Sequence, residues 1–211
     1  MNVTALGLVI LLSVLLISMS VHEMMHAFIS NWLGDDTARI MGRVSLNPMR
    51  HIDPFFTIAL PLLLLLSGSN FLFGAAKPVQ VNFSRLKYGE FGGAIVGMVG
   101  PLTNLAIAIF AAVLFNGVNP VFGTAVYDIF QITIVLNVGL FVFNSIPWPP
   151  LDGSRLLYAF APRALQEIME SIEGFGIMGL ALFIFLFYQI GTPIIDLMVR
   201  LVHLLAPSLV F

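Results

Sequence analysis

The chain contains no cysteine and very little charge, and both absences narrow what it can be. Of its 211 residues, 9% are charged and 59% are hydrophobic, and the mean hydropathy is +1.00. Without cysteine there is no disulfide framework and no thiolate metal site, so histidine and carboxylate side chains are the available metal ligands. A net charge of -2 from so few ionisable groups gives no basic face for nucleic acid. This composition indicates an integral membrane protein.

Long apolar runs are abundant. They cover Val3–Val21, Pro54–Leu66, Phe91–Phe115, Val126–Ile146 and Ile177–Ile190, the last with a continuation over Ile194–Leu205. A membrane span needs about 20 apolar residues, so the first, third and fourth runs are long enough and the second, if it does not span, is re-entrant. The first run has no basic region before it and no small-residue cleavage site after it, so we expect it to remain in the mature protein. No repeat or long linker divides the chain. We therefore predict one integral membrane domain over residues 1–211, an all-α polytopic bundle of several transmembrane helices.

A strand pattern lies between the second and third runs. Residues 79–84, VQVNFS, alternate apolar and polar side chains behind Pro78, which predicts a small β element at the membrane interface or in a re-entrant position. Lipid-facing backbone must be satisfied internally, so an extended segment belongs beside the bundle or inside a cavity. An open strand edge could pair with an extended substrate. A surface hairpin would produce the same pattern.

The motif HEMMH at residues 22–26 carries the clearest chemistry. In an α-helix, His22 and His26 lie on one face and can both direct a ring nitrogen at one metal ion, with Glu23 beside them. This arrangement suits Zn²⁺, and the glutamate can take a proton from water that the ion acidifies. An ionisable group at the bilayer centre costs roughly 3 kcal/mol, whereas structural zinc binding contributes about 10–16 kcal/mol. The alternative is a set of interfacial polar residues at a helix end.

A catalytic zinc site usually has three protein ligands and an open position. Trp32 stands where the extended HExxHxxGxxH motif needs its last histidine, so the third ligand must come from farther along the chain. The acidic candidates are Asp35, Asp36, Asp53, Glu90, Asp128, Asp152, Glu167, Glu170, Glu173 and Asp196. Asp152 is distinctive because three prolines and a glycine hold it on irregular backbone after an apolar run, a feature tolerated mainly where the chain lines a polar cavity. Capping of the following helix is the other interpretation of Asp152, and spacing alone leaves both open.

Several motifs together resemble a known family. HEMMH lies near the end of the first run, NPMRHIDPF follows it, GAAKPVQVN contains the predicted strand, GPLTN lies in the third run and NSIPWPPLDG follows the fourth. This set is similar to the site-2 protease family of intramembrane zinc metalloproteases, and the pairing of HExxH with NxxPxxxLDG is its most specific part. The resemblance covers most of the chain, with no room for a PDZ or CBS module.

The resemblance implies a role for six residues. It implies one Zn²⁺ per chain on His22, His26 and Asp152, with Glu23 as the general base. It also implies that Asn104 and Asn144 bind the substrate backbone or the developing oxyanion, although hydrogen bonding between helices is an alternative for each asparagine. Gly100 is expected to allow close approach of helices. Of the other histidines, His51 is expected to fix its loop through a hydrogen bond and His203 to lie at the interface.

The expected function is hydrolysis of peptide bonds in or near transmembrane segments of membrane-protein substrates. The partners are then the substrate and the lipid bilayer, and nucleic acid is not one of them. The alternatives are a zinc-binding membrane transporter, for which we see no inverted repeat, and an inactive pseudoprotease scaffold, against which the intact Glu23 argues. The sequence does not identify the substrate or the oligomeric state.

Topology follows from requiring Asp152 to reach the two histidines. Both sites must then lie near one membrane face, so an even number of crossings separates Gly34 from Asp152, and Pro54–Leu66 is re-entrant or the chain over Phe71–Phe83 returns. Charge agrees, because the loop Asn116–Thr124 has no Lys or Arg, while basic residues are frequent in the loops assigned to the other face. By the positive-inside rule the active site faces the cytoplasm, in a plasma or inner membrane.

Overall fold

The computed structural model describes residues 5–59, 62, 63, 66, 77–176, 178, 179, 183, 185, 187 and 191–210, with backbone alone for 56–58. Within these ranges the α-helices are α1 (Ala5–Trp32), α2 (Thr37–Ile40), α3 (Glu90–Val118), α4 (Ala125–Asn144), α5 (Gly153–Phe160), α6 (Arg163–Gly174) and α7 (Thr192–Leu205). Short 3-10 helices cover Pro48–Arg50 and Phe83–Arg85, and a π-helical turn covers Pro54–Ala59.

Three of the described helices, α1, α3 and α4, are long and apolar enough to cross a membrane. At 1.5 Å per residue, the 28 residues of α1 extend about 42 Å, more than the hydrocarbon core of a bilayer. The apolar runs that predicted these helices therefore identified them correctly, and the all-helical fold class is confirmed for the described residues.

Helix α3 lies at the centre and contacts α1, α4 and α5. Its buried face is made mostly of small residues, among them Gly93, Gly97 and Gly100, which let neighbouring backbones and rings come close where lipid provides no hydrophobic drive for association. Toward its carboxyl end the packing becomes conventional, with Phe115 inserted against Tyr127 of α4. The small residues thus leave room for neighbouring groups along the amino-terminal half of α3, and the candidate site lies beside that half.

The chain between α1 and α3 leaves and returns at the same end of the bundle. The Lys87 amide donates to the Leu33 carbonyl across 2.8 Å, and the side chain of Arg85 pairs with that of Asp36 at 2.6 Å. Because α4 follows α3 after a short loop, the carboxyl end of α4 comes back to this same end. Residue 152 therefore lies near the carboxyl half of α1, as the sequence argument required.

The strand predicted for residues 79–83 is not found among the described residues. Residues 77–82 are extended but pair with no strand in the part of the chain that the structure describes, and Phe83 begins a 3-10 turn. Two amides that a ladder would use bond to carboxylates instead, Val79 to Glu23 and Asn82 to Asp35. The alternating pattern reported a half-buried extended segment correctly, but a β-strand also requires a partner backbone.

Other predictions fall wholly or partly outside the described residues. Part of Pro54–Leu66, the stretch 71–76 and most of the fifth apolar run, 177–190, lie there, so the re-entrant course of Pro54–Leu66, the return of the chain over 71–83 and a helix over 177–190 remain predictions.

Candidate metal centre

Three side chains from two distant parts of the sequence meet between α1, α3 and the loop before α5. His22 Nε2 lies 3.0 Å from Asp152 Oδ2, His26 Nε2 lies 3.3 Å from the same oxygen, and the two Nε2 atoms are 3.0 Å apart. Both imidazoles are buried. Among the described residues these three form a group that could hold a metal ion.

The size of this triangle fits zinc. A tetrahedral Zn²⁺ with ligand distances near 2.0–2.1 Å has ligand-to-ligand edges of about 3.3 Å. The observed separations of 3.0–3.3 Å match three such edges closely. Two imidazoles and one carboxylate also make a donor set used in hydrolytic zinc sites, which keep the fourth position open.

The other ring nitrogen of each histidine has an oxygen partner. His22 Nδ1 lies 2.6 Å from Asn104 Oδ1, and His26 Nδ1 lies 2.7 Å from the Val96 carbonyl oxygen. An oxygen acceptor at Nδ1 places the ring proton there and leaves the Nε2 lone pair directed at the triangle. Outer partners of this type are what metal-binding histidines use to fix their tautomer and ring orientation.

Helix α3 supplies the space for both rings. A Cβ atom on Gly100 would lie 2.6 Å from His22 Nε2 and still closer to His26 Nε2, so no larger residue fits without moving the imidazoles. Gly100 therefore admits the rings, and Asn104, one turn later on the same face, bonds one of them. The sequence predicted that Gly100 allows helices to approach closely; in the structure the groups closest to it are the imidazole rings of the site.

Asp152 occupies the N-cap position of α5, but its side chain makes no capping hydrogen bond. Its carboxylate turns toward the histidines instead, at the end of the loop over residues 145–152. Gly97 of α3 packs against this turn, because a Cβ there would lie 2.7 Å from the Asp152 carbonyl oxygen. Of the two interpretations that spacing left open, the geometry favours the ligand.

Glu23 lies beside the triangle and lines a cavity of about 390 Å³. His26 and Asp152 line the same cavity, together with the extended segment over residues 78–83 and the loop over 150–152. Glu23 Oε2 accepts a hydrogen bond of 3.1 Å from the Val79 amide. A carboxylate held next to a prospective metal position, and open to a cavity, is well placed to exchange a proton with water.

The rim of this cavity is polar. Arg155 pairs with Glu173 of α6, and its guanidinium lies 4.3 Å from the centre of the Phe83 ring. Arg155 therefore joins α5 to α6 and to the segment that walls the cavity.

The remaining sequence candidates lie as follows. Both polar ends of Asn104 are engaged, by His22 and by Asn137, so this asparagine holds a histidine of the site. Asn144, on the last turn of α4, donates to the Leu140 carbonyl of its own helix. His51 is buried and bonds the Ser45 carbonyl at 2.7 Å, as expected for a loop-fixing residue, and His203 is exposed on α7.

Sequence reasoning missed Asn137 and Ser18. Asn137 Oδ1 accepts a 2.9 Å hydrogen bond from Asn104, and its amide nitrogen donates to Ser18 Oγ, also at 2.9 Å. A signal was present, because Asn137 is an amide in the middle of an apolar run, where polar side chains are costly without partners.

Comparison with curated proteins finds relatives over most of the chain. The chain is 38% identical to "Putative zinc metalloprotease YwhC" of Bacillus subtilis over 178 residues, which is 81% of this chain and 78% of that protein. It is 29% identical over 167 residues to "Putative zinc metalloprotease Rip2" of Mycolicibacterium smegmatis, and 28% identical over 169 residues to the Rip2 protein of Mycobacterium tuberculosis strain Erdman. Each of these two matches covers 77% of this chain and 61% of the relative. No family model matches. No solved structure matches either.

Proposed function

The chain belongs to the site-2 protease family of zinc metalloproteases, and from this premise we propose that it hydrolyses peptide bonds in or beside transmembrane segments of other membrane proteins. The observation that carries the proposal is the triangle of His22, His26 and Asp152 with Glu23 at its edge, open to one cavity. In this proposal the two histidines and Asp152 are the metal ligands, and Glu23 is the general base.

Zn²⁺ is the cofactor of this activity, one ion per chain, and His22, His26 and Asp152 are the residues that would hold it. When bound, it supplies Lewis acidity that polarises a carbonyl oxygen and acidifies water. The protein holds its own ligands ready, because Asn104 and the Val96 carbonyl fix both imidazoles with their Nε2 atoms inward. Burial of these rings keeps bulk water away from the donors.

Glu23 is the general base and then the general acid of the reaction. Its carboxylate takes a proton from the attacking water and later delivers it to the leaving amine, a role that typically contributes 10²–10⁴-fold in rate. The Val79 amide holds one oxygen, Oε2, and the Glu23 side chain lines the cavity. Proton transfer therefore happens on the side from which water and substrate enter.

The substrate must present an extended backbone. Carbonyl groups of a transmembrane helix are bonded within the helix, so the scissile bond becomes reachable only where the helix unwinds. The extended segment over residues 77–82 walls the cavity and offers backbone groups alongside an unwound chain. Asn144 is the amide that we assign to the substrate backbone or oxyanion, because Asn104 is engaged with His22.

The last part of the proposal is the orientation of the chain in the membrane. Residues 1–211 act as a single catalytic membrane unit in a plasma or inner membrane, with the cavity toward the cytoplasm. The basic residues Lys77, Arg85 and Lys87 lie at the cavity end of the bundle, and the opposite loop over residues 119–124 has no Lys or Arg.

Glu23→Gln tests the function. The amide cannot accept a proton as the carboxylate does, so cleavage of a transmembrane substrate in proteoliposomes should cease while zinc content, measured on the purified chain, stays near one per chain. The matched control is Glu167→Gln, which removes an exposed carboxylate on α6 and should cleave normally. Full activity in Glu23→Gln would overturn the assignment. A transporter would move zinc into vesicles whether or not Glu23 is present, and a scaffold would not cleave even as wild type.

A further inference from the structure

A line of buried hydrogen bonds leads away from the metal centre into the bundle. It runs from His22 Nδ1 to Asn104 Oδ1 at 2.6 Å, from Asn104 Nδ2 to Asn137 Oδ1 at 2.9 Å, and from Asn137 Nδ2 to Ser18 Oγ at 2.9 Å. Both asparagines have no exposed surface. The line links α1, α3 and α4 and ends on α1, one turn before the histidine at which it began.

The polarity of this line is set at its far end. Asn137 Nδ2 also donates to the Thr133 carbonyl across 2.9 Å, and a backbone carbonyl can only accept. The amide nitrogen of Asn137 must therefore face Thr133, which leaves its oxygen facing Asn104. Asn104 in turn presents its NH₂ group to Asn137 and its oxygen to His22, so Nδ1 of His22 carries the proton.

Without Asn137, nothing on this line selects the orientation of Asn104. The Asn104 amide could then turn over and present its NH₂ group to His22, which would favour the opposite tautomer with the proton on Nε2. A protonated Nε2 has no lone pair for a metal. The orientation of an amide two hydrogen bonds away thus decides whether His22 can act as a ligand.

We propose that Asn137 is a positioning residue that acts through Asn104 to fix the tautomer and orientation of His22 for Zn²⁺. This rests on the proposed zinc site and adds to it the residue that sets its hydrogen-bond polarity. A purely structural role, hydrogen bonding between α3 and α4, would stabilise the bundle without any effect on the histidine. The two roles differ in what they predict for zinc affinity.

The experiment measures zinc affinity of the purified full chain in detergent, by competition with a chromophoric chelator, together with the unfolding temperature. Asn137→Leu should weaken zinc binding about tenfold, the lower end of the loss seen for outer partners of metal ligands. Nitrogen NMR of labelled histidine in the zinc-free chain should show the Nδ1–H tautomer of His22 replaced by a mixture. Asn137→Ala carries the same prediction and serves if the leucine variant does not fold.

A second variant separates positioning from packing. Asn104→Asp presents only acceptors, so it holds Nδ1–H of His22 without help from Asn137. In that background Asn137→Leu should cost little, and the double variant should bind zinc within about threefold of Asn104→Asp alone. The matched control is Asn116→Leu, which removes another asparagine bond from α3, to the Leu205 carbonyl, far from the site; it should leave zinc affinity unchanged.

Zinc affinity in Asn137→Leu equal to wild type would overturn the proposal, as would an equal loss from Asn137→Leu in both backgrounds. A lower unfolding temperature with unchanged affinity would assign Asn137 a structural role alone. Failure of the proposed zinc site gives a different result, because the wild-type chain itself would then bind no zinc. Failure of the proteolytic function alone would appear in the cleavage assay, as a wild-type chain that binds zinc and does not cleave.

Discussion

The backbone N–H of Val79 donates to Oε2 of Glu23 across 3.1 Å, joining residues 56 positions apart in the chain. The extended segment over residues 77–82 is therefore attached directly to the proposed general base. Its second attachment is the Asn82 amide, which donates to Asp35 Oδ2 at 2.8 Å. The segment that lines the cavity is thus hydrogen-bonded to the residue that we propose transfers the proton.

Val79→Pro removes the amide hydrogen and should slow cleavage. A hydrogen bond to a charged group is worth about 1.5–3 kcal/mol, so we expect kcat to fall roughly tenfold or more as the Glu23 carboxylate loses its orientation. Zinc content should stay the same, since no ligand is touched. Val79→Ala keeps the amide and serves as the control; an equal loss of kcat in both variants would show that the side chain matters and the hydrogen bond does not.

Gly100→Ala should destroy the metal centre while leaving the bundle folded. The new methyl group would occupy space now held by both imidazole rings, so at least one Nε2 must move away from the triangle. We expect the purified variant to contain little zinc and to have no activity. Gly117→Ala on the same helix is the control, because no described residue lies within 4 Å of the Cβ it adds. Normal zinc content in Gly100→Ala would refute the placement of the rings.

The sequence predicted the parts of the fold that depend on local pattern. The apolar runs gave α1, α3 and α4, and the spacing of four gave a shared face for His22 and His26. It could not decide the role of Asp152, because the contact with His22 spans 130 residues and depends on how α3 and α5 pack.

The predicted strand and Asn137 both show that sequence pattern does not identify the partners of a segment or a side chain. The alternation at residues 79–83 records which side chains are covered, but not whether a second backbone lies alongside. Asn137 is visible as a polar residue in an apolar run, yet its partners are set by the register between α1, α3 and α4. Only packed helices bring it opposite Asn104.

Asp35 should make the stability of the chain depend on pH at the acidic end. Burial alone would raise the pKa of Asp35, but hydrogen bonds from Thr37 and from the Asn82 amide, with Arg85 nearby, outweigh burial and lower its pKa in the folded state. A lowered folded pKa stabilises the fold above the unfolded pKa of about 4. This contribution is lost as pH falls through the folded pKa.

Asp35→Asn tests this linkage. Near neutral pH the variant should unfold at a lower temperature than wild type, and the gap should narrow as pH falls below about 4. Asp36→Asn is the control, since it removes a partly exposed carboxylate paired with exposed Arg85, and such pairs contribute about 0–1 kcal/mol. A gap that is constant down to the lowest accessible pH would mean that Asp35 acts by shape and not by charge.

The cavity end of the bundle should face the cytoplasm. Asp36, Lys87 and Arg163 all lie at that end, because Lys87 bonds Leu33 after α1 and because Phe160, just before Arg163, packs on Phe91 at the start of α3. Cysteines at these three positions should react with an impermeant thiol reagent only after the cytoplasmic face is opened. The chain has no native cysteine, so each label reports one site.

The opposite end is tested best at Val121, which is 73% exposed in the loop between α3 and α4. Neighbouring Asn119 has a φ of 48°, a left-handed conformation that asparagine tolerates better than cysteine. A cysteine at Val121 should be labelled from outside intact cells, because α3, at 29 residues and about 43 Å, is long enough to carry the chain across the bilayer. Labelling of position 87 from outside would reverse the orientation, and labelling of positions 87 and 121 from the same side would show that α3 does not cross the membrane.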